Sequence, residues 1–306
     1  MMIEFDKVLK ESLWNNSIIF LKDAIERIVS TNIDREIGTE RGLILLTCSS
    51  IQVSMELALK SFIIDNYGVR SILVSSQYRM QDDEIIRLYN SNKIRTKTFE
   101  ELKKFLKQNN NNILTEDDYD IISDFQKFRN IIVHFIPNLS DGDYFDLEYD
   151  VIQYAIHVLI KILKNGDDLI KSSEFLEHHL GWELREKLIK YEPYLHAMSS
   201  LVRQNSDKVF DCINCGHRTF SMEEQICYSC NFENHFYYLI DCCFCKEKKS
   251  VIYDNLNIKG NNHIMKGVCL NCGEDGMIYQ CPDCERAHNI EVNCENQCLP
   301  GKCINK

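Results

Sequence analysis

Three things are scarce in this 306-residue chain: positive charge, long apolar runs and, over its first two thirds, cysteine. With 35 Lys and Arg against 46 Asp and Glu the net charge is −11. Such a chain lacks the clustered cations of a tight, nonspecific nucleic-acid binder, so any RNA contact is confined to a local basic patch or a brief encounter. No apolar run is long enough to span a bilayer, and the first residues, Met-Met-Ile-Glu-Phe-Asp-Lys, carry no signal-peptide pattern. The expectation is a cytoplasmic protein without membrane contact, in a reducing setting where cysteines bind metal rather than pair as disulfides. Before Cys212 the only cysteine is Cys48, which reads as a small buried apolar residue. Strand signals are also weak in the first 200 or so residues.

What is present there is helical periodicity. Apolar spacing predicts helices over residues 3–29 and from a Thr39 cap to Tyr67, where Gly68 stops the chain. Shorter helices follow over Asp82 to Leu88 and, behind the capping box Thr98-Phe99-Glu100-Glu101, through Leu106. Thr115-Glu116-Asp117-Asp118 caps a further helix, its acidic residues sitting at the positive end of the helix dipole. Pro137 to Gly142 reads as a turn, and another helix spans about Tyr144 to Lys164. Residues 1–166 form one helical domain, and 167–207 a charged helical connector interrupted by Gly181 and Pro193. The adjacent His178 and His179 do not share a helix face and read as solvent-exposed.

The helix before Pro137 carries the most chemistry. Ile121, Phe125, Phe128, Ile132 and Phe135 repeat at four- and three-residue steps, inside an arc about 80° wide. Asn130 and His134 fall on the opposite face, with Arg129 between that face and the stripe. A core helix has no structural need for an arginine, a carboxamide and an imidazole gathered there. Arginine matches phosphate with its fork, and histidine takes or gives a proton near neutral pH. On the second helix Glu56 and Lys60, four apart, read as an exposed pair worth a few tenths of a kcal/mol.

Arg129-Asn130-x-x-x-His134 resembles the signature of the HEPN superfamily, small helical domains many of which are metal-independent endoribonucleases. The resemblance covers roughly residues 1–165 and implies an all-α HEPN-like bundle. It also implies catalytic roles for Arg129, Asn130 and His134, an RNA substrate, and a setting in prokaryotic defence or a toxin system. In the same family an acidic residue on the second helix sometimes faces the active site, which gives Glu56 a second reading. One motif holds a single imidazole, so a homodimer that joins two motif helices would supply both acid and base.

After Asp207 the composition shifts sharply: fourteen of the fifteen cysteines lie between Cys212 and Cys303. Residues 208–306 read as tandem zinc ribbons, a small β-rich module with two to three structural Zn²⁺ ions. Cys212, Cys215, Cys227 and Cys230 have the layout of one ribbon. Cys242 and Cys245 pair with Cys269 and Cys272 in one scheme, leaving Cys281, Cys284, Cys294 and Cys298 as a third set. Cys243, Cys303 and His288 stand as further candidates. In the competing scheme Cys269 and Cys272 join Cys281 and Cys284, and Cys242 and Cys245 bind with Cys294 and Cys298. Ser250 to Asp254 and His263 to Val268 read as a hairpin. The aromatics Phe232, Phe236, Tyr237 and Tyr238 suit a recognition surface. The mild acidity of this end favours a protein partner, a trigger or an inhibitor.

Three functions follow from these features. The first is an endoribonuclease using the 2′-hydroxyl. The second is a noncatalytic dimeric adaptor whose ribbons capture a protein. The third, a zinc-dependent hydrolase, has no open set of histidines or carboxylates to support it.

Overall fold

The computed structural model describes residues 2–30, 40–109, 113–135, 141–165, 172–233, 237–254, 258–290 and 298–304. These fall into two compact units, Met1–Ala197 and Met198–Lys306.

The first unit is built on a helical hairpin. Helices α1 (Met2–Ser30) and α2 (Glu40–Tyr67) run antiparallel, because contacts move up one helix as they move down the other: Lys10 with Asp65, Ser17 with Ser54, Asp23 with Ser50. Leu21, Ile25 and Ile28 of α1 are buried, as are Ile51, Met55, Leu59 and Ile63 of α2, each at helical spacing. Inside this interface the Ser17 and Ser54 hydroxyls each donate to the other residue's carbonyl, at 2.8 and 2.7 Å, so two buried polar groups satisfy one another. Gly68 ends α2 at φ +76°, where a Cβ would come within 3.2 Å of the Asp6 carboxylate.

Short helices α3 (Ser75–Tyr78), α4 (Asp82–Asn90) and α5 (Phe99–Gln108) follow. The expected capping box is present, with the Thr98 hydroxyl accepting from the Glu101 amide and the Glu101 carboxylate accepting from the Thr98 amide. A second box opens α6 (Glu116–Phe135), where Asp118 accepts from the Thr115 amide at 2.7 Å. The next helix differs from the sequence expectation. It runs from α7 (Asp141–Gln153) through a π-helical stretch, Tyr154–Leu159, into α8 (Ile160–Leu163), with all six π residues buried. Helices α9 (Ser172–Leu180), α10 (Trp182–Leu188) and α11 (Glu192–Asn205) complete the helical part. Pro193 sits in the first turn of α11 rather than interrupting a helix, a position where its missing N–H costs nothing. His178 is exposed, but His179 is half-buried with its ring 5.0 Å from Trp14 and 4.4 Å from Phe175, so only one of the two is a solvent histidine. Among the described residues no helix is long and apolar enough to cross a membrane.

The second unit is strand-rich. Strands β1 (Val209–Phe210), β2 (Phe220–Ser221) and β3 (Ile226–Cys227) form one antiparallel sheet. A five-stranded antiparallel meander follows: β4 (Tyr237–Ile240), β5 (Val251–Asp254), β6 (Ile264–Cys269), β7 (Asp275–Gln280) and β8 (Ala287–Asn289). The expected hairpin is the β5–β6 pair, in register Val251 with Cys269 and Ile252 with Val268. Phe232, read from the sequence as a recognition aromatic, instead packs against the core formed by Phe210, Phe220 and Met222. Phe236 lies outside the described residues, as do the side chains of Tyr237 and Tyr238.

Candidate metal centres and the Arg129 helix

Each Cys-x-x-Cys in the second unit folds into the same knuckle. In four of the five, the amide five residues after the first cysteine's predecessor closes a turn onto that cysteine's carbonyl: Gly216 onto Cys212, Asn231 onto Cys227, Gly273 onto Cys269 and Glu285 onto Cys281, at 2.7 to 2.9 Å. The residue after the second cysteine has positive φ in all five: Gly216, Asn231, Lys246, Gly273 and Glu285. The first cysteine's amide then donates to the carbonyl five residues on, as in Cys242 to Glu247 at 2.9 Å. The knuckle therefore turns the chain back while leaving two sulfurs on one side.

The knuckles gather into three groups of four. Cys212, Cys215, Cys227 and Cys230 form the first, Cys242, Cys245, Cys269 and Cys272 the second, and Cys281, Cys284, Cys298 and Cys303 the third. Within each group all sulfurs lie within 4.8 Å of one another. The closest approaches are 3.6 Å for Cys212 with Cys230, 3.7 Å for Cys245 with Cys269 and 3.6 Å for Cys284 with Cys298. A tetrahedral ion with metal–sulfur bonds of about 2.3 Å holds its sulfurs about 3.8 Å apart, so the spacing fits a metal in every group.

These groups follow the sequential pairing rather than the competing scheme. In the third group the fourth sulfur is that of Cys303, whereas Cys294 lies outside the described residues. The reason is a turn. Leu299 and Lys302 exchange backbone hydrogen bonds of 3.0 and 2.8 Å around Pro300-Gly301, with Gly301 at φ +82°. Proline then positive-φ glycine at the corners sets a tight reversal that puts Cys298 and Cys303 side by side. Neither Cys243 nor His288 belongs to a group.

Two asparagines reach the sulfurs. Asn214 Nδ2 donates to Cys230 Sγ at 3.4 Å and Asn271 Nδ2 to Cys245 Sγ at 3.5 Å. The Asn271 carboxamide is the largest influence on the Cys245 thiol, holding it down at about 6, while burial pushes the Cys242 thiol up to about 12.

In the first unit the buried side of α6 is Asp118, Ile122 and Phe125, at 6, 0 and 2% exposure, while Ile121 is only half-buried. The core stripe is thus displaced by one position at its start from the expected Ile121–Phe125 line. Phe125 is fixed by stacking on Tyr154 of the π-helical stretch, ring centroids 4.1 Å apart. Steps of four, three and four from Asp118 lead to Ile122, Phe125 and Arg129, within an arc of about 60°. Arg129 lies in line with that stripe but is only half-buried, and its guanidinium reaches the exposed Asn130 on the polar side.

Its surroundings match that position. Arg129 Nε is buried and has no hydrogen-bond partner among the described residues, and Arg129 Nη1 donates to Oδ1 of the exposed Asn130 at 3.2 Å. The Arg129 charge reaches Cys48 on α2 and pulls its thiol down, but burial outweighs it and pushes that thiol up to about 12. Cys48 is the inert buried thiol expected of it. Glu56 pairs with Lys60 at 2.6 Å, but the pair is not the exposed one expected, because Lys60 is buried and Glu56 half-buried. His134 belongs to α6, but its side chain lies outside the described residues, as do those of Phe128, Ile132 and Phe135.

Comparison with known protein families, characterised proteins and solved structures finds no match to this chain.

Proposed function

We propose that the chain is a HEPN-type, metal-independent endoribonuclease whose cysteine groups hold three structural zinc ions. The observation that carries the nuclease reading is Arg129. A half-buried arginine whose Nε is shut away from solvent with no hydrogen-bond partner among the described residues is a costly placement for packing alone. It is an economical one for a cation that must meet the oxygens of a phosphate.

In this reading the 2′-oxygen of the RNA attacks its neighbouring phosphorus and the bond to the 5′-oxygen breaks. The products are a cyclic phosphate and a 5′-hydroxyl end. His134 of one chain takes the 2′-hydroxyl proton, and His134 of a second chain gives one to the departing oxygen. Arg129 meets the charge that develops on the phosphorus oxygens, and Asn130 orients the Arg129 fork through its Oδ1. The two chains meet through the motif helix, and the protein acts in prokaryotic defence or as a toxin.

Four thiolates with no open position favour zinc held structurally over any catalytic metal. The small strand-rich unit depends on it, since each ion contributes on the order of 10 kcal/mol to folding. Ile213 and Phe244, each inside a knuckle and 45% exposed, give this unit apolar points of contact for a protein trigger or inhibitor.

The test is to incubate purified protein with total RNA and map new ends, alongside Arg129→Ala and His134→Ala. Cleavage that persists in EDTA, leaves cyclic-phosphate ends and disappears in both variants is the expected result. Intact RNA with the unaltered chain, or cleavage indifferent to His134→Ala, defeats the nuclease reading. Elemental analysis of reduced protein checks the metal separately, with three zinc ions per chain expected.

A further inference from the structure

Two of the five knuckles share the sequence Cys-x-Asn-Cys-Gly: Cys212-Ile-Asn214-Cys215-Gly and Cys269-Leu-Asn271-Cys272-Gly. In both, the asparagine does not serve its own knuckle with its side chain. Asn214 Nδ2 crosses the first group to Cys230, and Asn271 Nδ2 crosses the second to Cys245. The target in each case is the second cysteine of the opposing knuckle. Asn214 also donates its backbone amide to Cys212 Sγ at 3.4 Å, so one residue is bonded to sulfurs of both knuckles.

We propose that Asn214 and Asn271 are positioning residues that clamp the two halves of the first and second metal sites, one carboxamide per site, and slow the loss of the ion. The argument is electrostatic and geometric, and it rests on the metal reading of the cysteine groups. Four thiolates around a divalent cation leave a net negative charge on the sulfurs, and a carboxamide N–H directed at one of them takes up part of it. Hydrogen bonds to charged groups contribute about 1.5–3 kcal/mol, and removing an outer-shell partner costs roughly 10- to 100-fold in metal affinity. Because each clamp joins opposing knuckles, it also opposes the first step of release, in which one knuckle swings away.

The third site supplies the contrast. Its knuckle is Cys281-Pro-Asp283-Cys284, with a carboxylate where the others have a carboxamide. A carboxylate has no N–H to give a sulfur, so Asp283 cannot supply a clamp of this kind.

The experiment uses the full chain purified with its metal, challenged with a chromophoric chelator, so that each ion is counted as it leaves. Metal content is measured first in every preparation. Asn214→Ala and the near-isosteric Asn214→Asp should each speed the release of one ion per chain by roughly 10- to 100-fold, leaving the other two unchanged. Asn271→Ala and Asn271→Asp should do the same for a different single ion, so the double variant loses two ions quickly. Asp283→Ala should release none of the three faster. Asn→Asp variants that keep the parent rates overturn the clamp, as does a uniform acceleration of all three ions, which marks a general fold defect. A parent chain holding no metal overturns the metal reading itself, whereas three ions that ignore the asparagines overturn only the clamp.

Discussion

Lys161 of α8 reaches across the helical unit to Asp118 of α6, Nζ to Oδ2 at 2.6 Å, with the two side chains 18 and 8% exposed. Asp118 is already engaged, since the same oxygen accepts from the Thr115 amide and hydroxyl. One carboxylate therefore starts the motif helix and ties it to the rod that follows. Removing it should leave Lys161 as an uncompensated buried charge. Asp118→Ala is expected to cost about 3–5 kcal/mol, whereas the apolar pair Asp118→Leu with Lys161→Met should recover much of that. Urea unfolding followed by tryptophan fluorescence reads this directly, because Trp14 and Trp182 both lie in the helical unit. Equal losses in the single and double variants would show that the pair contributes only packing.

His157, within the π-helical stretch, lies in the electrostatic reach of that pair. Burial lowers its pKa, opposed by its hydrogen bond to the Ala197 backbone and by Asp118, with Lys161 adding to the lowering. Its Nε2 has no hydrogen-bond partner among the described residues. A histidine kept neutral in the folded state binds its proton more readily when unfolded. Its contribution is therefore fully present above the unfolded value near 6.5 and is lost as pH falls through that value toward the lower folded one. The helical unit should lose stability as pH falls below about 6.5, and His157→Gln should flatten that slope. Parallel slopes for the two proteins would assign the loss to other groups.

These two relationships mark what the sequence hides. Local signals were legible: the Thr98 and Thr115 caps, Gly68 as a stop, and knuckles whose cysteines pair in order, because each depends on residues a few positions apart. The place of Cys303 beside Cys298 depends on the Pro300-Gly301 reversal, which cysteine spacing alone does not show. The face of α6 was not legible. Two apolar lines, through Ile121 or through Ile122, reach Phe125 at helical spacing, so periodicity alone does not say that Ile122 is the buried one. The π-helical stretch carries no proline or glycine to announce it.

The strand-rich unit contains one position with no room to grow. Gly267 on β6 faces Gly276 on β7, and a Cβ at Gly267 would stand 2.7 Å from Ile278 Cγ1 and 3.0 Å from Val251 Cγ1. Both neighbours are buried in the core that includes Cys242 and Cys269 of the second metal group. Gly267→Ala should therefore destabilise this unit by about 1–3 kcal/mol through overpacking. Thermal unfolding followed by near-UV dichroism, with tryptophan fluorescence recording the helical unit separately, is the check. A transition unchanged from the parent would mean that the sheet yields at no cost.

The proposed nuclease makes its sharpest demand on chain stoichiometry. One Arg129-Asn130-His134 set holds a single imidazole, yet the reaction must take a proton from one oxygen and give one to another. If two sets surround one phosphate, each scissile bond depends on a histidine from both chains. Each general acid or base contributes roughly 10²- to 10⁴-fold, so losing either should nearly abolish turnover. A His134→Ala homodimer should be folded, dimeric and almost inactive. Mixed dimers joining one parent chain to one His134→Ala chain, isolated with two different affinity tags, should fall far below half the parent activity. Independent sites would instead leave mixed dimers at half. Mixed dimers at half activity or more, or an active species that sediments as a monomer at assay concentration, would show that each chain carries out the reaction alone.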